Sequence, residues 1–418
     1  MLSTTSNLLY DSMSPNTGDI AMGIAGKQVF ETFGIRARVA DPFEPHLPHP
    51  LVIGGGELIR VSGDPFYDSF RQSGRHILNS AGVWTSANDL DYLKEYAFVS
   101  ARSEREVDVL RRWVPEAEVV PCATTMLASE HYDIPGAEAG EPLVGIHMVP
   151  HALRLIEDLI PIIDSIPHRK VFIPFTHYNH DASFMKSLPF NRTNSIFLDR
   201  LEPLQLHSVI GQMKYVAVSS LHASIFAYSQ NVPFISIHQK KAGYYFSDRG
   251  LSDNLVKCGK DFAEQLNRLD SEQPDYQTLI AADRSTVLRA FTQYAKIIST
   301  SGDAEQEWVS SPITAPRQRD VILLDQARHV IGDRDLALSY AESRRLKLRG
   351  LAAHLATDLR QVSSELSQTS SDLSRVNREL EEMHRAYDVL RTVWWVAFVR
   401  STSGVLRRTF RRFTAVFK

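Results

Sequence analysis

The chain has 418 residues, 43% of them hydrophobic and 23% charged, enough to bury more than one core and too balanced in composition for a low-complexity or fibrous protein. A formal net charge of −3 gives no global attraction to nucleic acid, and the two cysteines, Cys122 and Cys258, fit neither a metal-ligand spacing nor the disulfide framework of a secreted domain. The opening MLSTTSNLLYDSMS lacks the basic start and apolar core of a signal peptide, and no stretch approaches the roughly 20 apolar residues of a spanning helix, so the expected location is cytoplasmic.

In chain order, Asn7 to Tyr10 ends a first strand, and SPNTGDIAMGIAGKQVF reads as a loop and then a helix with Ile20, Ile24 and Val29 on its buried side. Asn16, Gly18 and Asp19 serve this junction as turn and cap, Gly18 allowing close backbone approach and Asp19 standing where a cap would. Arg36 to Ala40 is a short second strand. After a Pro-rich connection, Leu51 to Ile53 runs into Gly54-Gly55-Gly56-Glu57. Such a turn can receive a phosphate, a sugar hydroxyl or a tightly packed neighbour, and it is neither a P-loop nor a dinucleotide fingerprint. His76 to Asn79 reads as a strand running on to Gly82. Phe98 to Ala101 is another, meeting a helix whose apolar positions include Val107 and Leu110. At that strand end Arg102 has two readings, an anion or sugar contact on a cleft wall or a salt bridge to Glu104 or Glu106. Val119-Val120 begins the last strand of this half.

The turn-rich stretch Ile134 to Pro142 separates this half, 1–135, from a second one, 143–305. There Leu143 to Met148 is a strand, Ala152 to Ile163 a helix, and Lys170 to Pro174 a strand opening on Thr176-His177-Tyr178-Asn179-His180-Asp181. His177, His180 and Asp181 have no zinc-site spacing, so sugar or donor contacts are expected of them rather than a metal. A strand at Ser195 to Leu198 and a helix at Leu204 to Met213 lead into a strand–helix–strand unit. In it the strand Tyr215 to Val218 ends at Ser219-Ser220, a helix carries His222 in its first turn, and the strand Phe234 to Ile237 is followed by a charged loop with Lys240 and Lys241. An imidazole where a strand ends and a helix begins occupies the usual ligand position of an open α/β sheet. The alternation of strands and helices implies two Rossmann-like domains facing a cleft, in a GT-B-like arrangement.

Leu221, His222, Ala227, Val232, Pro233, Ile235, Ile237 and Lys241 resemble the carboxyl-terminal motif of the polysaccharide pyruvyl transferase family, and Asn16-Thr17-Gly18-Asp19, the triple glycine and Arg102 match earlier landmarks of it. Where the family has an Arg two residues before the His, this chain has Ser220. The resemblance implies transfer of pyruvate from phosphoenolpyruvate to a sugar of a surface glycan as a ketal, with no cofactor and no metal. On that footing His222 is the expected general acid, with a positive helix end opposing that role. Ser220, Lys240, Lys241 and Arg102 would meet the donor, and Asn16, Gly18, Asp19, Gly54, Gly55, Gly56, Glu57 and His177 would line the acceptor cleft. The alternatives are a nucleotide-sugar glycosyltransferase of GT-B type and a non-catalytic scaffold of the same fold.

A linker and helix, 306–346, precede a heptad seam within 347–390, from Leu348 through Leu359, Leu366, Leu373 and Leu380 to Leu390. Such a seam requires a partner helix, a second copy of the chain or, within one chain, the Asp320 to Arg345 helix. In 391–418 no acidic residue occurs, and Trp394, Trp395, Phe398, Phe410, Phe413 and Phe417 interleave with Arg391, Arg400, Arg407, Arg408, Arg411, Arg412 and Lys418. This pattern describes a segment lying on an anionic membrane, most simply the cytoplasmic face of the inner membrane and a lipid-linked acceptor; nucleic-acid binding and oligomer packing are its alternatives.

Overall fold

The structure, a computed structural model, describes residues 5–11, 16–40, 50–149, 152, 156, 158–176, 181–300, 380–387 and 389. The chain divides into two compact units, Met1–Arg345 and Leu346–Lys418. In the first unit, β1 (Thr5–Tyr10), α1 (Thr17–Thr32), β2 (Arg36–Ala40), β3 (Leu51–Gly54), α2 (Pro65–Asp68), β4 (Ile77–Ala81), β5 (Phe98–Ala101), α3 (Glu104–Leu110) and β6 (Glu118–Val119) form one parallel sheet with its helices. The strand order is β2-β1-β3-β4-β5-β6. A second parallel sheet follows, from β7 (Leu143–His147), α4 (Leu159–Asp164), β8 (Arg169–Phe172), α5 (Asp181–Ser187), β9 (Ser195–Phe197), α6 (Pro203–Gly211), β10 (Tyr215–Val218), α7 (Leu221–Ser229), β11 (Phe234–Ile237), α8 (Lys240–Ser247) and β12 (Leu255–Val256). Its order is β12-β11-β10-β7-β8-β9, and α9 (Gly259–Ser271) and α10 (Gln277–Thr300) complete the unit.

The central strands are largely apolar because both faces of a parallel sheet are covered there: every residue of β3, β7, β10 and β11 is buried, whereas the edge strand β2 is exposed at alternate residues. One apolar core lies between the sheets, joining Leu8 and Tyr10 of β1 to Val171 of β8 and Val216 of β10, and separate cores fill the outer faces. The α/β expectation of two helix-covered parallel sheets therefore holds. In α10, Phe291 meets Phe30 of α1 at 4.9 Å between ring centres and Tyr294 donates to Asn79 Oδ1 at 3.1 Å, so a helix from beyond the second sheet packs on the first.

Each sheet reverses its direction of strand addition once, and a cleft opens outside the strand ends at such a point. The first reversal lies between β1 and β3, where the chain leaves into Asn16–Asp19 and into Gly54–Glu57. The second lies between β7 and β10, and it is closed by the Ser219 N–H donating to His147 O at 3.0 Å.

Several local expectations are corrected. The segment after β11 is not a loop but α8, because Ala242, Tyr245 and Phe246 recur at helical spacing and are buried. Asn16, not Asp19, caps α1: its side chain accepts from Gly18 N and donates to Asp19 Oδ2 at 2.8 Å. The helix expected from Ala152 is described only from Leu159. His177 and His180, the 306–346 segment, the basic tail and nearly all of the heptad seam lie outside the described residues. Of the seam, 380–387 is helical, with Leu380, Met383 and Tyr387 exposed. Among the described residues no helix is long and apolar enough to cross a membrane.

Candidate active site

The two reversal points meet through a glycine. A Cβ built on Gly18 would lie 2.0 Å from His222 Nδ1, so only a residue without a side chain lets the start of α1 approach the start of α7 this closely. His222 itself is buried, with Nδ1 3.9 Å from Asp19 Oδ1 and Nε2 without a hydrogen-bond partner. The Asp19 carboxyl is bounded on another side by Gly56, whose φ of +97° and would-be Cβ 2.8 Å from Asp19 Cγ both demand glycine. Gly54 and Gly55 are packed with equal closeness on Asn79 O and the Tyr10 ring, so the triple glycine acts as the tight-packing turn among its three readings.

Glu57 follows that turn. Its carboxylate is 2.8 Å from Lys241 Nζ on α8, an ion pair joining the elements of the two sheets. Arg102 is fully sequestered at the end of β5, its Nε and Nη2 each 3.1 Å from Glu106 Oε1, while Ser103 Oγ holds the other oxygen of Glu106 at 2.7 Å. Of its two readings, the salt bridge is therefore present, with Glu106 as partner. Gly82 makes room for it, since a Cβ there would lie 2.5 Å from Arg102 Nη2.

The electrostatics of the cluster are unequal. Burial, with Asp11 adding repulsion, pushes the Asp19 carboxyl up to about 7 against the pull of Lys241 and Arg102. Burial and the nearby Arg102 and Lys241 charges push His222 down to about 3, so its imidazole is neutral. For Glu57 burial acts upward, but the Lys241 ammonium and hydrogen bonds from Lys241 and Trp84 outweigh it and hold the carboxyl below its usual range. A carboxyl raised to near neutrality, a neutral imidazole, a carboxylate and two cations thus share one site, as proton transfer and anion binding require.

The remaining expected residues divide. Ser220 is the N-cap of α7, accepting from Ala223 N at 3.5 Å. Lys240 is exposed at the first position of α8. Asp181 turns inward: it is buried and accepts from Phe175 N and Thr176 N at 2.5 Å, with His147 Nε2 3.0 Å away, so its carboxylate holds the fold rather than facing a sugar. No group of metal-binding side chains occurs among the described residues. The sequence reading missed Asp11 and Trp84. The only sequence signal for Trp84 is an indole a few residues past a buried strand.

The polysaccharide pyruvyl transferase profile matches residues 16–239, more than half of the chain and the whole span from Asn16 to Lys240's neighbour Gln239. No curated protein matches the chain. Among solved structures, a putative UDP-N-acetylglucosamine 2-epimerase from Listeria monocytogenes is 10% identical over 74% of this chain and 100% of that one, with a TM-score of 0.48. The UDP-GlcNAc 2-epimerase of Methanocaldococcus jannaschii, in complex with UDP-GlcNAc and UDP, is 11% identical over 69% of this chain and 99% of its own, at 0.41. An O-GlcNAc transferase mutant from Thermobaculum terrenum is 10% identical over 81% and 69%, at 0.32. At these values none of the three bears on function. The profile match, with its landmarks brought together around Asp19 and His222, establishes that the chain belongs to the polysaccharide pyruvyl transferase family.

Proposed function

We propose that the chain transfers pyruvate from phosphoenolpyruvate to two hydroxyls of a glycan sugar as a cyclic ketal, with Asp19 as the proton donor. The observation that carries this reading is a carboxyl lifted to about 7 beside a neutral imidazole and near two cations. Asp19 gives its proton to the methylene carbon of the enol, and the second carbon becomes oxocarbenium-like. The first sugar hydroxyl adds there, the C–O bond to phosphate breaks, and the second hydroxyl closes the ring. The two hydroxyl protons are thereby accounted for, one restoring the methyl group's proton to Asp19 and one leaving with phosphate. His222, held neutral and too weakly basic to take these protons, orients the adding hydroxyl through its free Nε2, so the acid role expected of it passes to Asp19.

Lys241 is the cation that meets the dianionic donor, exchanging Glu57 for it, while the buried Arg102 acts on the site through its charge. Glu57 then turns to an acceptor hydroxyl. Ser220 as an N-cap leaves the α7 N-terminus, with its unpaired N–H groups, in the place the family gives to an arginine. In the same reading, the acid-free 391–418 segment holds the enzyme on an anionic membrane surface where a lipid-linked acceptor lies, and the heptad seam pairs two chains.

The test is phosphate release from phosphoenolpyruvate against a panel of sugar acceptors, with Asp19→Asn and His222→Ala alongside. Acceptor-dependent release that falls at least a hundredfold in both variants supports the reading. A silent wild type, or release undiminished in Asp19→Asn, sinks it. Sedimentation with anionic vesicles of the full chain and of one ending at Leu390 tests the membrane segment, which requires binding by the full chain alone.

A further inference from the structure

Beside the cleft, outside every residue given a role above, three side chains form a stack. The Arg60 guanidinium lies 3.7 Å from the centre of the Tyr67 ring and 4.5 Å from that of Trp84. The stack is fixed by the backbone. Ile59 forms an isolated parallel bridge with Val83, Trp84 N donates to Ile59 O at 2.8 Å, and Arg60 Nε donates to Glu57 O at 2.8 Å. The indole N–H is spent on the Glu57 side chain, so the polar edge of Trp84 points at the cleft carboxylate. Yet 39% of the residue is exposed, and Arg60 covers one face of the ring, which leaves the opposite face as the one a ligand would use. A large apolar surface left open next to a reactive carboxylate, and held there by hydrogen bonds, is what a ligand with one apolar and one hydroxylated side requires.

We propose that Trp84, braced by Arg60 and Tyr67, is the platform for the acceptor sugar: a pyranose lays its C–H face on the open indole face and turns its diol to Glu57. The inference rests on the pyruvyl transferase reading for the identity of the ligand, and it names Trp84 as a residue that determines acceptor binding. Phosphoenolpyruvate, small and anionic, has no C–H face and gains nothing from the platform.

Methyl β-D-galactopyranoside, methyl β-D-glucopyranoside and methyl α-D-mannopyranoside, titrated separately into wild type, Trp84→Phe and Trp84→Ala and followed by saturation-transfer NMR, test it. Both variants lose the bond to Glu57, so the difference between them reads the ring face. At least one glycoside is expected to bind wild type through its ring C–H protons, to keep its Kd within about threefold in Trp84→Phe, and to weaken about tenfold, or ~1.4 kcal/mol, in Trp84→Ala. No binding to wild type, undiminished binding to Trp84→Ala, or equal losses in the two variants would overturn the platform. In turnover, the acceptor KM should move with these Kd values while the phosphoenolpyruvate KM changes less than twofold; equal movement of both KM values marks a structural role instead. A wild type that binds a glycoside but releases no phosphate refutes the pyruvyl transfer and leaves the platform standing.

Discussion

Asp19→Asn removes a charge the fold holds at a cost, and the size of that cost follows from the site. The folded-state carboxyl is pushed up to about 7 from its ordinary 3.8, a displacement worth on the order of 4 kcal/mol. Because the folded pKa is raised, the native state binds the extra proton between these two values. Stability therefore falls as pH rises from about 4 to 7, and the full penalty, on the order of 4 kcal/mol, applies above that window. An Asn side chain keeps an oxygen to accept from Asn16 Nδ2 but never ionises. The variant should exceed wild type by about 1–2 kcal/mol at pH 5 and by about 4 kcal/mol at pH 8.5, while losing turnover at both. Urea unfolding at the two pH values is the assay, the difference between variant and wild type cancelling every other titrating group. Parallel stability–pH curves would refute the raised carboxyl, and with it the assignment of Asp19 as an acid.

Lys241→Met removes the ammonium that lowers Asp19, so the alkaline limb of the pH–rate profile should move above its wild-type position near 7, with the phosphoenolpyruvate KM raised at least tenfold. A limb that stays in place would separate Lys241 from the acid. Gly18→Ala puts a methyl 2.0 Å from the His222 ring, an overpacking of about 1–3 kcal/mol, and chemical denaturation should record that loss together with collapse of kcat; a variant within 0.5 kcal/mol and twofold of wild type, by the same rough scale, contradicts the close approach. Ser220→Arg forfeits an N-cap at about 1 kcal/mol and should leave the phosphoenolpyruvate KM within threefold, whereas a tenfold gain in donor affinity would show that position to be the vacant donor contact.

The central strands were readable from the sequence because parallel strands buried on both faces read as near-continuous apolar runs, as Leu51–Gly54 and Phe234–Ile237 do, whereas Arg36–Ala40, at the sheet edge and exposed at alternate residues, shows as a short alternating strand instead. The residues of the cluster were nameable from their motif, but their charges were not. Whether His222 or Asp19 holds the proton depends on burial and on distances among five separate segments of chain, which no spacing encodes. The helix α8 was hidden for a related reason: it is short, opens on Lys240 and Lys241, contains Gly243 and is followed by Asp248 and Arg249, and the three buried residues at helical spacing are few. Trp84 escaped because exposure is invisible in a sequence, and its significance is that it is exposed.

The packing of α10 on the first sheet sets an order of events during synthesis. Phe30, Asn79 and Phe98 receive Phe291 and Tyr294, so this patch of the first sheet, beside the part that α1 covers, stays open after the last strand has been made, until a helix some 180 residues later has been translated. At about 5–20 residues per second that interval is roughly 10–40 s. Throughout it the nascent chain presents a ready parallel sheet with an open aromatic face, a surface for chaperones to hold and for neighbouring nascent chains to be kept from, and ribosomes that stall before Thr300 release a fragment with that face permanently bare.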